Sequence, residues 1–307
     1  MARPHDPIRI TRRRALALGA APLLAQTRPR IAITMDDVRW QIIPGRRRPE
    51  AEQRLLQHLG NTRAFLFAIG QCVDNAHGAA ILRQWSAAGH WIGNHTFSHQ
   101  PLSGKISPDE FEQDILRNDE LLRPYAAFRK WFRFPALKEG RTREVRDRLR
   151  AFLAGHGYRN GAVTIDASDW YYNQRLLDRL TSDPSFPVER YRQPYLDHIW
   201  NRAQFYDQLS RDVLGRGVSH TLLIHYNLLN SLFLGDLLAM FRSRGWEIIA
   251  ADEAFQDPVF ERQPDTAPAG ESLLWALAKE TGKFESRLRY PGEDDVYEKP
   301  LLDRLGL

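Results

Sequence analysis

Apolar residues fall along this chain in two alternating patterns. Short unbroken runs, such as Ile31-Ala-Ile-Thr-Met35 and Thr221-Leu-Leu-Ile224, read as buried strands. Between them the apolar positions recur every three or four residues, as on an amphipathic helix. Strands are predicted at 31–35, 63–69, 90–93, 130–134, 158–165, 219–225 and 247–250. Helices are predicted at 49–59, 79–88, 107–122, 143–153 and 232–244. Gly70, Gly89 and Gly245 punctuate these segments, and Ser107-Pro108-Asp109-Glu110 supplies a helix cap, a first-turn proline and early acids. Strand alternating with helix indicates an α/β fold with a parallel sheet or barrel over residues 28–257. Past Asp257 the pattern fades through Pro258, Pro264 and Pro268 into a helix-like stretch at 271–280 and a charged tail. Residues 258–307 therefore read as a C-terminal extension packed on the domain.

The N-terminus departs from that pattern. Arg12-Arg13-Arg14 precedes a short apolar run at 15–25, the layout of an export signal over residues 1–27. Thr11-Arg-Arg-Arg-Ala-Leu16 resembles the bacterial twin-arginine motif, with Ala15 in place of its usual phenylalanine. The expected location is periplasmic or secreted. No later stretch is long and apolar enough to span a bilayer, so no stable membrane span is expected in the mature protein. With 307 residues, 43% of them hydrophobic, the chain has ample material for a core. The net charge of +5 is concentrated in arginine clusters, and nucleic acid is not expected as a partner. A single cysteine, Cys72, excludes an intrachain disulfide and a cysteine-rich zinc module. The oligomeric state is not readable from the sequence.

Polar chemistry ends five of the apolar runs. Asp36-Asp37 follows the first, and Gly93-Asn-His-Thr-Phe-Ser-His99 follows the third. If the latter stretch is helical, His95 and His99 stand on one face, placed to hold two corners of a metal site. One of the paired aspartates supplies a third ligand and leaves the other free to take a proton. Arg133-Phe-Pro135, Asp166-Ala-Ser-Asp169-Trp170 and His225 complete the set. Each has an ordinary explanation alone; together, at strand ends of a closed parallel sheet, they reach one face.

These motifs resemble those of the polysaccharide deacetylases, the NodB-homology group of carbohydrate esterase family four. The resemblance covers about residues 30–250. It includes Thr34-Met-Asp-Asp37, the block from Ala88 to His99, Arg133-Phe-Pro135, Asp166-x-x-Asp169-Trp170 and Leu222-Leu-Ile-His225. It implies a distorted (β/α)7 barrel. It also implies that Asp37, His95 and His99 hold a divalent metal, most simply Zn2+, with Co2+, Ni2+ or Fe2+ as alternatives. Asp36 is then the general base, oriented by Arg133, and His225 the general acid, oriented by Asp169. The Ala136 backbone N–H shares the oxyanion, Pro135 and Trp170 belong to the substrate-binding surface, and Asp166 stands behind the site. The implied partner is an acetylated glycan, and the implied reaction is removal of its N- or O-acetyl groups.

The chain departs from the family in three places. Val38 replaces a glycine, Ala136 an aromatic residue and Tyr226 a frequent aspartate. The loss at Ala136 keeps open a small non-sugar amide or formamide as substrate, and a non-catalytic metal-containing glycan-binding protein is the third reading. Segments 170–219 and 257–307 have no counterpart in the family pattern. Tyr171, Tyr172, Tyr191, Tyr195 and Trp200 lie in the first, either as a new sugar platform or, in the preferred reading, as ordinary packing.

Overall fold

Alternate residues of the first strand face two different environments, and this sets the architecture. In β1 (Arg30–Asp37), Ile31, Ile33 and Met35 pack into the large core shared with the helices, while Ala32, Thr34 and Asp36 point the other way. The computed structural model describes residues 28–39, 48–102, 105–290 and 294–307; the expected export signal at 1–27 lies outside them. The other strands are β2 (Phe65–Ala68), β3 (Trp91–Asn94), β4 (Phe128–Phe132), β5 (Lys138–Gly140), β6 (Arg159–Asn160), β7 (Ser219–His225), β8 (Glu247–Ile248) and β9 (Ala269–Gly270).

Seven strands form one parallel sheet in the order β6-β4-β3-β2-β1-β7, with β8 on the first two residues of β1. Beyond β6 the chain crosses the remaining gap, and Ile165 bridges in parallel to Leu222 of β7. Residues 159–165 thus touch both ends of the row and close it into a curled barrel, as expected. β2 repeats the alternation of β1: Leu66 and Ala68 face the helices, whereas Phe65 and Phe67 fill the barrel. Gly93 and Gly161 make room for Phe67, because a Cβ would lie 2.6 Å from its ring at Gly93 and 2.4 Å at Gly161.

The segments that the sequence resemblance leaves unmatched are largely helical. Residues 169–218 form the helices Asp169–Ser182 and Arg192–Leu214. Tyr172, Tyr191 and Tyr195 are fully buried there, so they serve packing. The C-terminal residues are woven into the domain: β9 pairs antiparallel with β5, and the helix Leu273–Thr281 buries Leu274 and Ala278 in the main core. Among the described residues, no helix is long and apolar enough to cross a membrane.

Candidate active site

Parallel register brings the first and last of the singled-out residues together: Asp36 of β1 lies beside His225 of β7. Asp37 and Val38 follow with positive φ, 87° and 70°, which turns the Asp37 carboxylate away from the strand direction. For a β-branched residue such as Val38 this conformation is strained.

The histidine pair is presented by a loop, not by the helix anticipated from its spacing. Thr96 and His99 have φ of 61° and 59°. Side chains take the backbone donors that a helix would have used. Thr96 N–H donates to Asn94 Oδ1, His99 N–H to Thr96 Oγ1 and Ser98 N–H to Asp114 Oδ2, each at 2.9 Å. Asn94 is itself held by Asn118 and Tyr158, so the loop is tied at its root.

The loop still converges both imidazoles on Asp37. His95 Nε2 lies 3.5 Å and His99 Nε2 3.4 Å from Asp37 Oδ1. That oxygen is buried with no hydrogen-bond partner among the described residues. His95 Nδ1 stands 2.8 Å from the Arg133 carbonyl, which can only accept, so Nδ1 carries a proton and Nε2 is the nitrogen turned to Asp37. Burial, with a contribution from His95, holds His99 down to about 3, hence neutral. Burial pushes the Asp37 carboxyl upward, but His95, His225 and His99 outweigh it and the carboxyl lies below its ordinary value. An ionised carboxylate with an orphaned oxygen beside two imidazole nitrogens fits a divalent cation. Ligand atoms from these three residues lie within 4.8 Å of one another.

Two ion pairs flank this cluster. Arg133, fully buried, donates from Nη1 to Asp36 Oδ1 at 2.8 Å and to Thr34 Oγ1 at 2.9 Å, and from Nε to the Gly161 carbonyl at 2.7 Å. Its guanidinium rests 4.1 Å from the Phe67 ring centre. On the other side Asp169, also fully buried, meets His225 Nδ1 at 2.7 Å. It further accepts from the His225 N–H at 2.8 Å and from the Asn227 and Asn230 amides. Burial alone would lower the His225 pKa; Asp169 foremost, then Asp37 and Asp36, raise it to about 10.

All of this opens on one cavity of about 450 Å³. Asp36, Asp37, His95, His99, Ala136, Asp166, Trp170 and His225 line it. Ala136 sits exposed in the turn after β4 with φ 49°. Pro135 is buried and shapes that turn without being a wall residue. Asp166 is itself a wall residue instead of standing behind the site, and burial together with Glu271 pushes it up to about 6.

Several residues that sequence reasoning passed over share the cavity. Glu271, ion-paired with Lys138, reaches it from the C-terminal segment, and Asn173 from the helix after Asp169. Asn227 and Asn230 carried one usable signal, their closeness to His225. Glu271 carried none, because its place depends on the pairing of two very short strands.

Comparison with known proteins bears on the same residues. Residues 24–160 match the model of a family described as polysaccharide deacetylase. That range holds Asp36, Asp37, His95, His99 and Arg133 but not Asp169 or His225. A peptidoglycan-N-acetylglucosamine deacetylase of Bacillus cereus is 32% identical over 91 residues, 30% of this chain and 31% of the relative. The match thus spans under a third of that relative's length. Among solved structures, a mutant of a CE4 family pseudoenzyme with restored enzymatic activity aligns with TM-score 0.50 and 18% identity, over 74% of this chain and 68% of the other. A second mutant of that Bacillus anthracis pseudoenzyme gives TM-score 0.51 and 16% identity, over 74% and 67%. These two likenesses are of fold.

Proposed function

We propose, from the match of residues 24–160 to the polysaccharide deacetylase family model, that this chain is a metal-dependent hydrolase removing acetyl groups from a carbohydrate of the bacterial envelope or its surroundings. The observation that carries the reading is the gathering in one cavity of two oriented groups, Asp36 held by Arg133 and His225 held by Asp169, with Asp37, His95 and His99.

Asp37, His95 and His99 would hold the cation. When bound, it supplies Lewis acidity, which makes water nucleophilic near neutral pH and polarises the acetyl carbonyl. Asp36 takes the proton from the attacking water; its Arg133 partner fixes the direction of its free oxygen. His225, protonated and fixed by Asp169, gives a proton to the departing amine or alcohol. The Ala136 N–H, in its left-handed turn, is the candidate donor to the carbonyl oxygen as negative charge develops there. Trp170 offers an exposed ring face at the rim, suited to the apolar face of a sugar.

Export through the signal at residues 1–27 completes the proposal and puts the enzyme where such glycans occur. A second reading keeps the chemistry and changes the substrate: Ala136 leaves the cavity floor without the ring that commonly backs a sugar, which would suit a small amide or formamide. One panel separates the two. Acetate release from chitooligosaccharides, peptidoglycan fragments or acetylated xylan, lost with chelator and regained with zinc or cobalt, supports the glycan reading. Turnover of small amides alone, with metal bound, contradicts it.

A further inference from the structure

The short segment 166–169 delivers Asp169 to His225, and its backbone is held by side chains that do not line the catalytic cavity. Ser168 N–H donates to His198 Nε2 at 2.9 Å. Ser168 Oγ accepts from Arg289 Nη2 at 3.2 Å, and the Asp166 carbonyl accepts from Arg202 Nε at 3.4 Å. Ser168 stands at the start of the helix Asp169–Ser182, yet its hydroxyl does not cap that helix. His198 and Arg202 come from the helix Arg192–Leu214 and Arg289 from the C-terminal extension, the two segments that the sequence resemblance leaves unmatched.

The His198 ring is itself fixed. A backbone N–H can only donate, so Nε2 carries no proton and Nδ1 does. Nδ1 stands 3.3 Å from Glu298 Oε1. Arg289 in turn grips Glu298 with both terminal nitrogens, Nη1 to Oε1 at 2.7 Å and Nη2 to Oε2 at 2.8 Å. The Tyr172 ring lies 4.9 Å from the imidazole, tilted by 32°. Burial lowers the His198 pKa and outweighs the pull of Glu298, in keeping with a neutral ring. Ser168, His198 and Glu298 are all buried, so water cannot readily replace any of these contacts. Without its acceptor the Ser168 N–H would be an unpaired buried donor one residue from Asp169, and the peptide would move to satisfy it. Asp169 has little slack for such a move, because its carboxylate already meets His225 Nδ1 and accepts from the His225 N–H and from Asn227 and Asn230.

We infer that His198, fixed by Glu298 and Arg289, is a positioning residue: through the Ser168 N–H it sets the placement of Asp169 and so the orientation of the His225 imidazole. Its effect on turnover rests on the deacetylase reading above; its effect on the His225 ring does not. The two unmatched segments thereby share a task, holding from behind the carboxylate that orients the proton donor.

The test compares the full chain with His198→Phe, which keeps a ring against Tyr172 and removes the acceptor, and with His198→Gln, whose amide oxygen replaces it. In the zinc-loaded proteins, on whichever acetylated oligosaccharide the unsubstituted chain hydrolyses, His198→Phe should lower kcat about tenfold at unchanged KM, and His198→Gln should recover most of the loss. In the metal-free proteins the imidazole nitrogen chemical shifts of His225 should move in His198→Phe and return in His198→Gln. A lower melting temperature with kcat and the His225 shifts unchanged makes His198 a packing residue and overturns the inference. A glutamine variant as impaired as the phenylalanine one overturns it too, since the acceptor would then not be what matters. The unsubstituted protein supplies a reading that no folding defect can obscure: the His198 nitrogens should show Nδ1 protonated and Nε2 bare, and the opposite tautomer or a charged ring at neutral pH overturns the inference. Absence of acetate from every substrate, with metal bound, is a different result: it removes the deacetylase reading, and the His225 shifts still decide the role of His198.

Discussion

His225 reports on its neighbours more directly than any other side chain of the site. Its burial favours the neutral imidazole, yet Asp169, Asp37 and Asp36 raise its pKa from 6.5 to about 10 in the metal-free protein. The charged form is thus favoured by folding. Its contribution to stability is complete below about 6.5 and is lost as the pH rises through about 10. An NMR titration of the metal-free protein should find this midpoint well above the ordinary histidine range. It should fall in Asp169→Asn, and also on adding zinc, which offsets the charge of Asp37. A midpoint near 6.5 in the metal-free protein would contradict the arrangement. Arg133 is the second informative residue. It is fully buried against Asp36, so Arg133→Met leaves that carboxylate without its partner and should cost about 3–5 kcal/mol in a denaturant titration. A loss under about 1 kcal/mol would mean that Asp36 finds another counter-charge or protonates cheaply.

At the scale of elements, the C-terminal strap joins sequence, packing and chemistry. Gly270 has φ 122°, and a Cβ there would lie 1.9 Å from the Leu137 carbonyl oxygen. Glu271 N–H donates to that same carbonyl at 3.0 Å, so the strap braces the turn that carries Ala136. Gly270→Ala should therefore lower stability by at least about 1 kcal/mol and reduce kcat together with it, as thermal melts and initial rates would register. Normal turnover in a destabilised variant would separate the strap from the site. None of this was legible beforehand, because β5 and β9 are too short to leave a pattern and are held by contacts distant in sequence. The parallel strands were legible, since continuous apolar runs such as 31–35 and 221–224 leave few alternatives. The loop at 95–99 shows the limit of spacing arguments. Two histidines four apart suit a helix, but Asn94, Thr96 and Asp114 satisfy the backbone locally and produce a convergent loop instead. The motifs singled out residues that the fold gathers at one cavity, whereas Glu271, Lys138 and Asn173 entered only through the fold.

Across the whole molecule, the curled sheet does one thing for function: it brings the ends of β1, β3, β4 and β7, and the chain after β6, to one cavity. Under the proposed function two sets of groups there have separable tasks, a cation-holding set of Asp37, His95 and His99 and a proton-moving pair of Asp36 and His225. The most direct measurement compares zinc content and acetate release in Asp36→Asn and His95→Ala against the unsubstituted protein, on whichever acetylated oligosaccharide it hydrolyses. The account predicts that Asp36→Asn keeps about one zinc per chain and loses about 10²–10⁴-fold in kcat, the usual worth of a positioned base. His95→Ala should lose both zinc and activity at the same zinc concentration. Full turnover in Asp36→Asn, or stoichiometric zinc with undiminished activity in His95→Ala, would contradict it.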